Sequence, residues 1–365
     1  MSVMPRVQSD REEVRVRSHT VGELDRGLSV LEAYDDPNDY LKSFRNNPRL
    51  IADNPNAQKD DVALILALDG QRVVGRLGLF AGRLLYEGEN LRVYWLSEFA
   101  LQNAYKTTGV GGMILLKVLA LRVPLLACGA PSEELEKVYE KVGFQRLGPL
   151  KRFVYFYRAT VVARHYLNNA FLARTISSMA NPALALYYSF RRRGMKQTLT
   201  YKHVKQFDNA INSLFASERR NHCVKDALML NWVLNHNHAD AFEIYDGPIL
   251  RGYCVIKCMK FAGGGSHDLP EMNMGTLLDY YIEDVSSEAL CDLLMFCIDR
   301  FVDQGLDLFE FQVCDEMLCK VCEEFGFIQV GGNRIFIKPG LGMRPRGERE
   351  WFLTLGTADV ILTGA

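Results

Sequence analysis

EEVRVRSHT, close to the start of the chain, reads as a first strand, and GELDRGLSVLEAY and DYLKSFRNN read as helices. DDVALILAL and RVVGRLGLF follow as strands joined by Asp69-Gly70, a pair suited to a hairpin turn. LRVYWLSEFAL, from Leu91 to Leu101, is almost continuously apolar, as a strand covered on both faces must be. MILLKVLAL then reads as a helix, VPLLACGA as a strand, SEELEKVYEKVGF as a second helix and QRLGPLKRFVYFYR as closing strand material. The second helix has complete end signals, with Ser132 as cap, Glu133 and Glu134 at its positive end and Gly143 as its stop. Leu135, Val138, Tyr139 and Val142 fall at i, i+3, i+4 and i+7, which places Tyr139 on the face that packs inward.

The pattern then returns. LEKVYEKVGFQRLG from Leu135 matches LCKVCEEFGFIQVG from Leu318 at seven of fourteen positions, a shift of 183 residues. Asp69-Gly70 with Gly75 is answered by Asp246-Gly247 with Gly252, a shift of 177. A second copy of one α/β unit is therefore expected, with KQTLTYKHV as its first strand, ADAFEIYDGPILRGYCVIKCM as its hairpin and TLLDYYI as its buried strand. At 365 residues the chain is also longer than one core usually supports. The expected division is a first domain over 1–158, a helical linker over 159–194, a second domain over 195–340 and a docked C-terminal segment over 341–365.

Charge and composition remove several alternatives. Lysine and arginine number 43 against 44 acids, which argues against a surface built to grip nucleic acid. Charges stand where an export signal would need its apolar stretch. Nine cysteines in mostly apolar surroundings read as reduced thiols of a cytoplasmic protein. Cys319 and Cys322 form CxxC but share one apolar helix face, and His236 and His238 stand in a polar stretch, so packing is expected and no metal. Thr175 to Phe190 is 16 residues without a charge, followed by Arg191 to Arg193. Ser177, Ser178, Asn181 and Pro182 interrupt it, so a linker packed on both units is expected rather than a membrane span.

The copies differ at one junction. In the first, the buried strand leads into KTTGVGG and a helix, whereas in the second DYYI leads into EDVSSEALCDLL, which has no glycine. A turn alone would need glycine in both. The amides at a helix start lack intrahelical partners and carry partial positive charge, which suits a phosphate. Gly109, Gly111 and Gly112 would let phosphates reach those amides, and Thr107 and Thr108 add hydroxyls. Neither GxGxxG nor GK[ST] is present, which removes the Rossmann and Walker alternatives.

EFALQNAYKTTGVGG resembles the acyl-CoA-binding motif of the GNAT superfamily of acyltransferases, an acidic residue and apolar strand followed by [RQ]xxGxG at a helix start. Lys106 stands at the basic position, keeping charge but losing fork geometry, and Gly109 and Gly111 at the glycines. LEKVYEKVGF resembles the next motif of that family, with Tyr139 at the tyrosine that faces the thioester. The resemblance covers roughly residues 12 to 158. It implies an α/β (α+β) fold of two tandem domains, each with a mixed, mostly antiparallel sheet flanked by helices. It further implies acetyl-CoA or another acyl-CoA held by Ala100, Leu101, Lys106, Thr107, Thr108, Gly109, Val110, Gly111, Gly112 and Ser132.

Amine acylation needs a neutral amine, a stabilised oxyanion and a protonated leaving thiolate. Glu98 is the only carboxylate between Val93 and Leu101, and the resemblance makes it the general base; the alternative is a structural partner for Arg92 or Arg76. Tyr139 is expected to reprotonate the thiolate, and the Leu101 amide to hold the oxyanion. The second copy has Cys322 in the place of Tyr139 and no phosphate loop, so it should wall the acceptor cleft, with Asp279 and Glu283 available to an amine. The leading expectation is transfer to a small primary amine, an amino acid or amino sugar. A protein or peptide N-acetyltransferase and a non-catalytic CoA-binding regulator are the alternatives.

Overall fold

A computed structural model describes residues 13–26, 29–46, 49–129, 133–167, 170–261, 271–283, 285–340, 343 and 350–354. β1 (Arg15–Thr20) leads through the short helices α1 (Val21–Asp25), α2 (Ser29–Glu32), α3 (Lys42–Asn46) and α4 (Arg49–Ala52). The meander β2 (Val62–Asp69), β3 (Arg72–Tyr86) and β4 (Glu89–Leu101) follows. After a 3₁₀ turn over Asn103–Tyr105 come α5 (Val110–Leu119), β5 (Leu125–Cys128), α6 (Glu133–Lys141) and β6 (Gln145–Phe156). The helices α7 (Ala159–Tyr166) and α8 (Ala170–Arg191) connect the halves.

The second half contains β7 (Thr200–Val204), β8 (Asn221–Cys223), α9 (Ala227–Asn237), β9 (Asp240–Asp246), β10 (Ile249–Phe261) and β11 (Met272–Ile282). It continues with α10 (Ser287–Asp303), β12 (Leu308–Val313), α11 (Glu316–Phe325), β13 (Ile328–Lys338) and β14 (Trp351–Phe352).

The two early segments expected as helices hold α1, α2 and α3 among the described residues, and α4 lies beyond them. The helix α9 and a 3₁₀ stretch over Asn209–Ser217 had no sequence-based expectation.

One mixed sheet runs through the molecule in the order β1-β2-β3-β4-β5-β13-β6-β12-β11-β10-β9-β7. Its pairs are mostly antiparallel; β4 with β5 and β11 with β12 are parallel. At the centre the halves interleave, because β13 of the second half lies between β5 and β6, and β6 pairs in turn with β12. The final strand of each half therefore joins the sheet of the other.

Alternation along the strands divides the first half into two cores. Leu64, Leu66, Phe80 and Trp95 face α3 and α4, where Phe44 and Leu50 meet them. Ile65, Leu79, Tyr94 and Leu96 face α5 and α6, packing with Ile114, Leu115 and Tyr139.

Candidate active site

Two parallel strands that part leave polar backbone at their separating edges. β4 pairs with β5 only from Tyr94↔Leu125 to Leu96↔Ala127, and its last residues run on without that neighbour. Gln102 donates its N–H to the Val74 carbonyl on β3 at 2.8 Å. Successive amides of a strand point to opposite edges, so the N–H of Leu101 faces away from β3, into the gap that β5 has left. Ala100 and Leu101 are half-buried there.

The helix α5 begins beside this gap. Gly109 is its N-cap, at φ 85°, in the left-handed region that favours glycine, and no side chain caps the helix. The first main-chain bond runs from the Met113 amide to the Gly109 carbonyl at 3.1 Å, so the amides of Val110, Gly111 and Gly112 precede the helical ladder. A Cβ at Gly109 or Gly112 would meet nothing within 4 Å. At Gly111 it would lie 3.6 Å from Leu101 Cδ2 and Phe99 Cζ, which seats the helix start on the end of β4.

Lys106, Thr107 and Thr108 are exposed on the loop before the helix. Thr108 Oγ1 donates to the Tyr105 carbonyl at 2.8 Å, and the Tyr105 hydroxyl bonds Asp69, which ties the loop to the hairpin turn. Ser132 lies outside the described residues.

Glu98 sits at a bulge where the β3–β4 register shifts between Arg76 and Gly78. Its φ is 50°, rare for a residue with a side chain, and an extra residue at a bulge re-aims what it carries. The carboxylate points to the α3 side. Glu98 Oε2 accepts from Ser43 Oγ at 2.6 Å and lies 3.0 Å from Arg76 Nη1. Arg76 Nη1 lies 3.1 Å from Ser43 Oγ, and it also donates to the Tyr40 carbonyl. Burial lowers the pKa of Arg76 from its ordinary value, and Glu98 opposes that shift. Of the two arginines considered as partners Glu98 has Arg76, while Arg92 is engaged by Asp61. Ser43 and Tyr40 left no signal in the sequence, since they lie more than fifty residues from Glu98.

Tyr139 approaches from the other face of the sheet. It is 3% exposed, stacked on Phe144 at 4.8 Å between ring centroids and edge-on to Phe336 at 5.6 Å. Its neighbour Val138, expected on the same inward face, is 38% exposed, so the buried stripe of α6 is narrower than its apolar pattern. Glu98 and Tyr139 thus belong to opposite layers, on either side of the sheet in which β4 parts from β5.

The second half parts in the same way but is filled. β11 pairs with β12 only as far as Leu277↔Phe311, yet Leu278 to Ile282 are all buried. Phe352 of β14 stands edge-on to Tyr280 at 5.4 Å and Tyr281 at 6.0 Å. Asp279, expected to be available to an amine, is closed off: Lys225 Nζ lies 2.5 Å from its Oδ1, and Thr354 Oγ1 bonds it at 2.8 Å. Glu283 pairs with Arg251 at 3.5 Å. The N-terminus of α10 is capped by Ser286, whose side chain accepts from the Ala289 amide. Cys319 and Cys322 are buried on α11, where burial pushes the Cys319 thiol up to about 11.

The architecture as a whole has counterparts among solved structures. Yeast (Saccharomyces cerevisiae) N-myristoyltransferase with bound myristoyl-CoA aligns with 96% of this chain and 91% of its own, at TM-score 0.57 and 11% identity. A conserved protein from Enterococcus faecalis, described as a probable N-acyltransferase, aligns with 90% of this chain and 73% of its own, at TM-score 0.56 and 10% identity. A GCN5-related N-acetyltransferase from Kribbella flavida aligns with 90% and 71%, at TM-score 0.52 and 12% identity. The chain has the GNAT fold. At these identities the likeness speaks for architecture alone. No protein-family model matches the sequence, and no curated protein matches it.

Proposed function

We propose that this GNAT-fold chain is an acyl-CoA-dependent N-acyltransferase that acylates the primary amine of a small molecule such as an amino acid or amino sugar. The observation that carries this reading is the pairing of two openings: the uncapped start of α5, with clear space at Gly109 and Gly112, lies against the end of β4 where β5 has left it. Residues 1–158 form the acyl-CoA domain in this reading, 159–194 the linker, and 195–340 with the C-terminal segment a half that supports the first.

The free amides of Val110, Gly111 and Gly112 and the charge of Lys106 suit a pyrophosphate. Acyl-CoA, when bound, supplies an acyl group activated as a thioester. Glu98 takes the proton of the acceptor ammonium from the α3 side, and Arg76 and Ser43 orient the carboxylate for it. The Leu101 amide donates to the acyl oxygen as charge gathers there. Tyr139, on the α5 side, returns a proton to the leaving sulfur. The filled second half favours one active site per chain.

A thermal-shift screen with acyl-CoAs, followed by a panel of amines, tests the assignment. Stabilisation by CoA but not by a phosphate-free pantetheine fragment is expected, as is release of thiol only when an amine is present. Tyr139→Phe should abolish turnover while CoA still stabilises the fold. A variant with full turnover would remove Tyr139 from the mechanism, and equal stabilisation by the phosphate-free fragment would remove the phosphate cradle.

A further inference from the structure

A helix on the surface of a protein in water normally turns its apolar side inward. The helix α8 is apolar on its outward side as well. Ser177, Asn181, Leu184 and Tyr188 fall at i, i+4, i+7 and i+11 and are buried or half-buried. Asn181 accepts from the Ala159 amide at 2.7 Å, and Tyr188 stacks on Tyr155 at 3.8 Å between centroids. Ile176, Met179, Leu186 and Phe190 follow one another on the side turned away. Met179 is 76% exposed, Leu186 73% and Phe190 72%. Nothing in the interior explains a stripe of this kind, and large exposed apolar stripes mark contact surfaces.

The charges around the stripe identify its partner. From residue 159 to 196 the chain has Arg164, Arg174, Arg191, Arg192, Arg193 and Lys196 and not one acidic residue, although the whole protein carries net charge −1. Arg164, Arg174, Arg191, Arg193 and Lys196 are exposed, whereas Arg192 is engaged by Asp299 at 2.7 Å. A second copy of the chain laid on this stripe would bring arginines against arginines, with no carboxylate from the same segment to receive them. An anionic surface with an apolar layer beneath it satisfies both features. Among the described residues no helix is long and apolar enough to cross a membrane, so the fit is to the interface.

We infer that α8 is a monotopic docking helix that seats the protein on anionic lipid surfaces, with Ile176, Met179, Leu186 and Phe190 in the headgroup boundary and Arg191 and Arg193 among the lipid phosphates. This goes beyond the acyl-transfer reading and does not depend on it.

The test uses the full chain with vesicles of phosphatidylcholine alone or mixed with phosphatidylserine. The protein should sediment with the mixed vesicles, and release with rising salt should follow screening of the arginines. Replacing both Arg191 and Arg193 by alanine should weaken partition roughly thirtyfold at low salt, as the loss of two interfacial charges implies. Phe190→Trp adds a reporter at an exposed position where the fold does not depend on the side chain. Its emission should shift to the blue with mixed vesicles and not with phosphatidylcholine alone. An unshifted spectrum together with protein that stays in the supernatant would overturn the inference. So would a dimer that ignores vesicles and dissociates in Met179→Glu, which would assign the stripe to a second copy.

Discussion

Glu98 and Asp279 occupy the same place in the two halves, and one is open while the other is sealed. Glu98 lies two residues before Ala100, whose partner across the sheet, Arg76, binds it at 3.0 Å. Asp279 lies two residues before Tyr281, whose partner Tyr253 donates to it at 3.4 Å. The Glu98 side chain is 9% exposed, against 0% for Asp279, which Lys225 and Thr354 close over. Of the two carboxylates only Glu98 keeps some contact with solvent.

The first prediction concerns that open carboxylate. Glu98→Gln keeps the Ser43 contact and the shape of the site but removes the proton acceptor, so kcat should fall about a hundredfold or more. The affinity for CoA, measured by calorimetry, should be unchanged, because Glu98 lies on the face away from α5. Weakened CoA binding would mean that the residue supports the cofactor side instead.

Gly112 separates a ligand effect from a folding effect. A Cβ there meets no protein atom within 4 Å and needs no unusual φ, and leucine is a better helix former than glycine by up to about 1 kcal/mol. Gly112→Leu should hold or raise the melting temperature while lowering CoA affinity by about tenfold or more, equivalent to roughly 1.4 kcal/mol. Gly111→Leu is a poorer probe, since it would press on Leu101 and Phe99.

Lys225 and Asp279 form a buried pair, and removing one partner of such a pair strands the other. Lys225→Met should cost about 3–5 kcal/mol of stability in denaturant titration. The double variant Lys225→Met, Asp279→Leu should recover much of that loss, because neither charge then remains in the core.

Acid should weaken the fold through its buried imidazoles. Burial pushes His222 below its ordinary value of 6.5, and its Nδ1 donates to the Arg220 carbonyl at 2.9 Å. Burial likewise lowers His19. A depressed folded pKa means that the unfolded chain binds the proton more readily, so the stability from these groups is complete above pH 6.5 and declines as pH falls below it. Calorimetric melting between pH 7 and pH 5 should show that decline, and His222→Asn should make it shallower.

The meander, the glycine-led α5 and the inward Tyr139 were legible because each depends on local rules. Residue spacing along a strand or helix is set by backbone geometry, and helix-start chemistry needs only the few residues at the junction. α9 escaped notice because its apolar residues are spread around the helix: Leu230, Trp232, Val233 and Leu234 are all buried.

What the amino-acid sequence determined by itself was the alternation of strands and helices and the glycine-led start of α5. Only the tertiary structure decided which carboxylate is open, which parted strand pair is filled and which side of α8 meets solvent. Those outcomes depend on Arg76, Ser43, Lys225 and Phe352 meeting partners far away in the chain, and on β6 and β13 joining the sheet of the opposite half. Local periodicity carries no information about such distant meetings, because packing between elements, not backbone geometry within them, selects the partner.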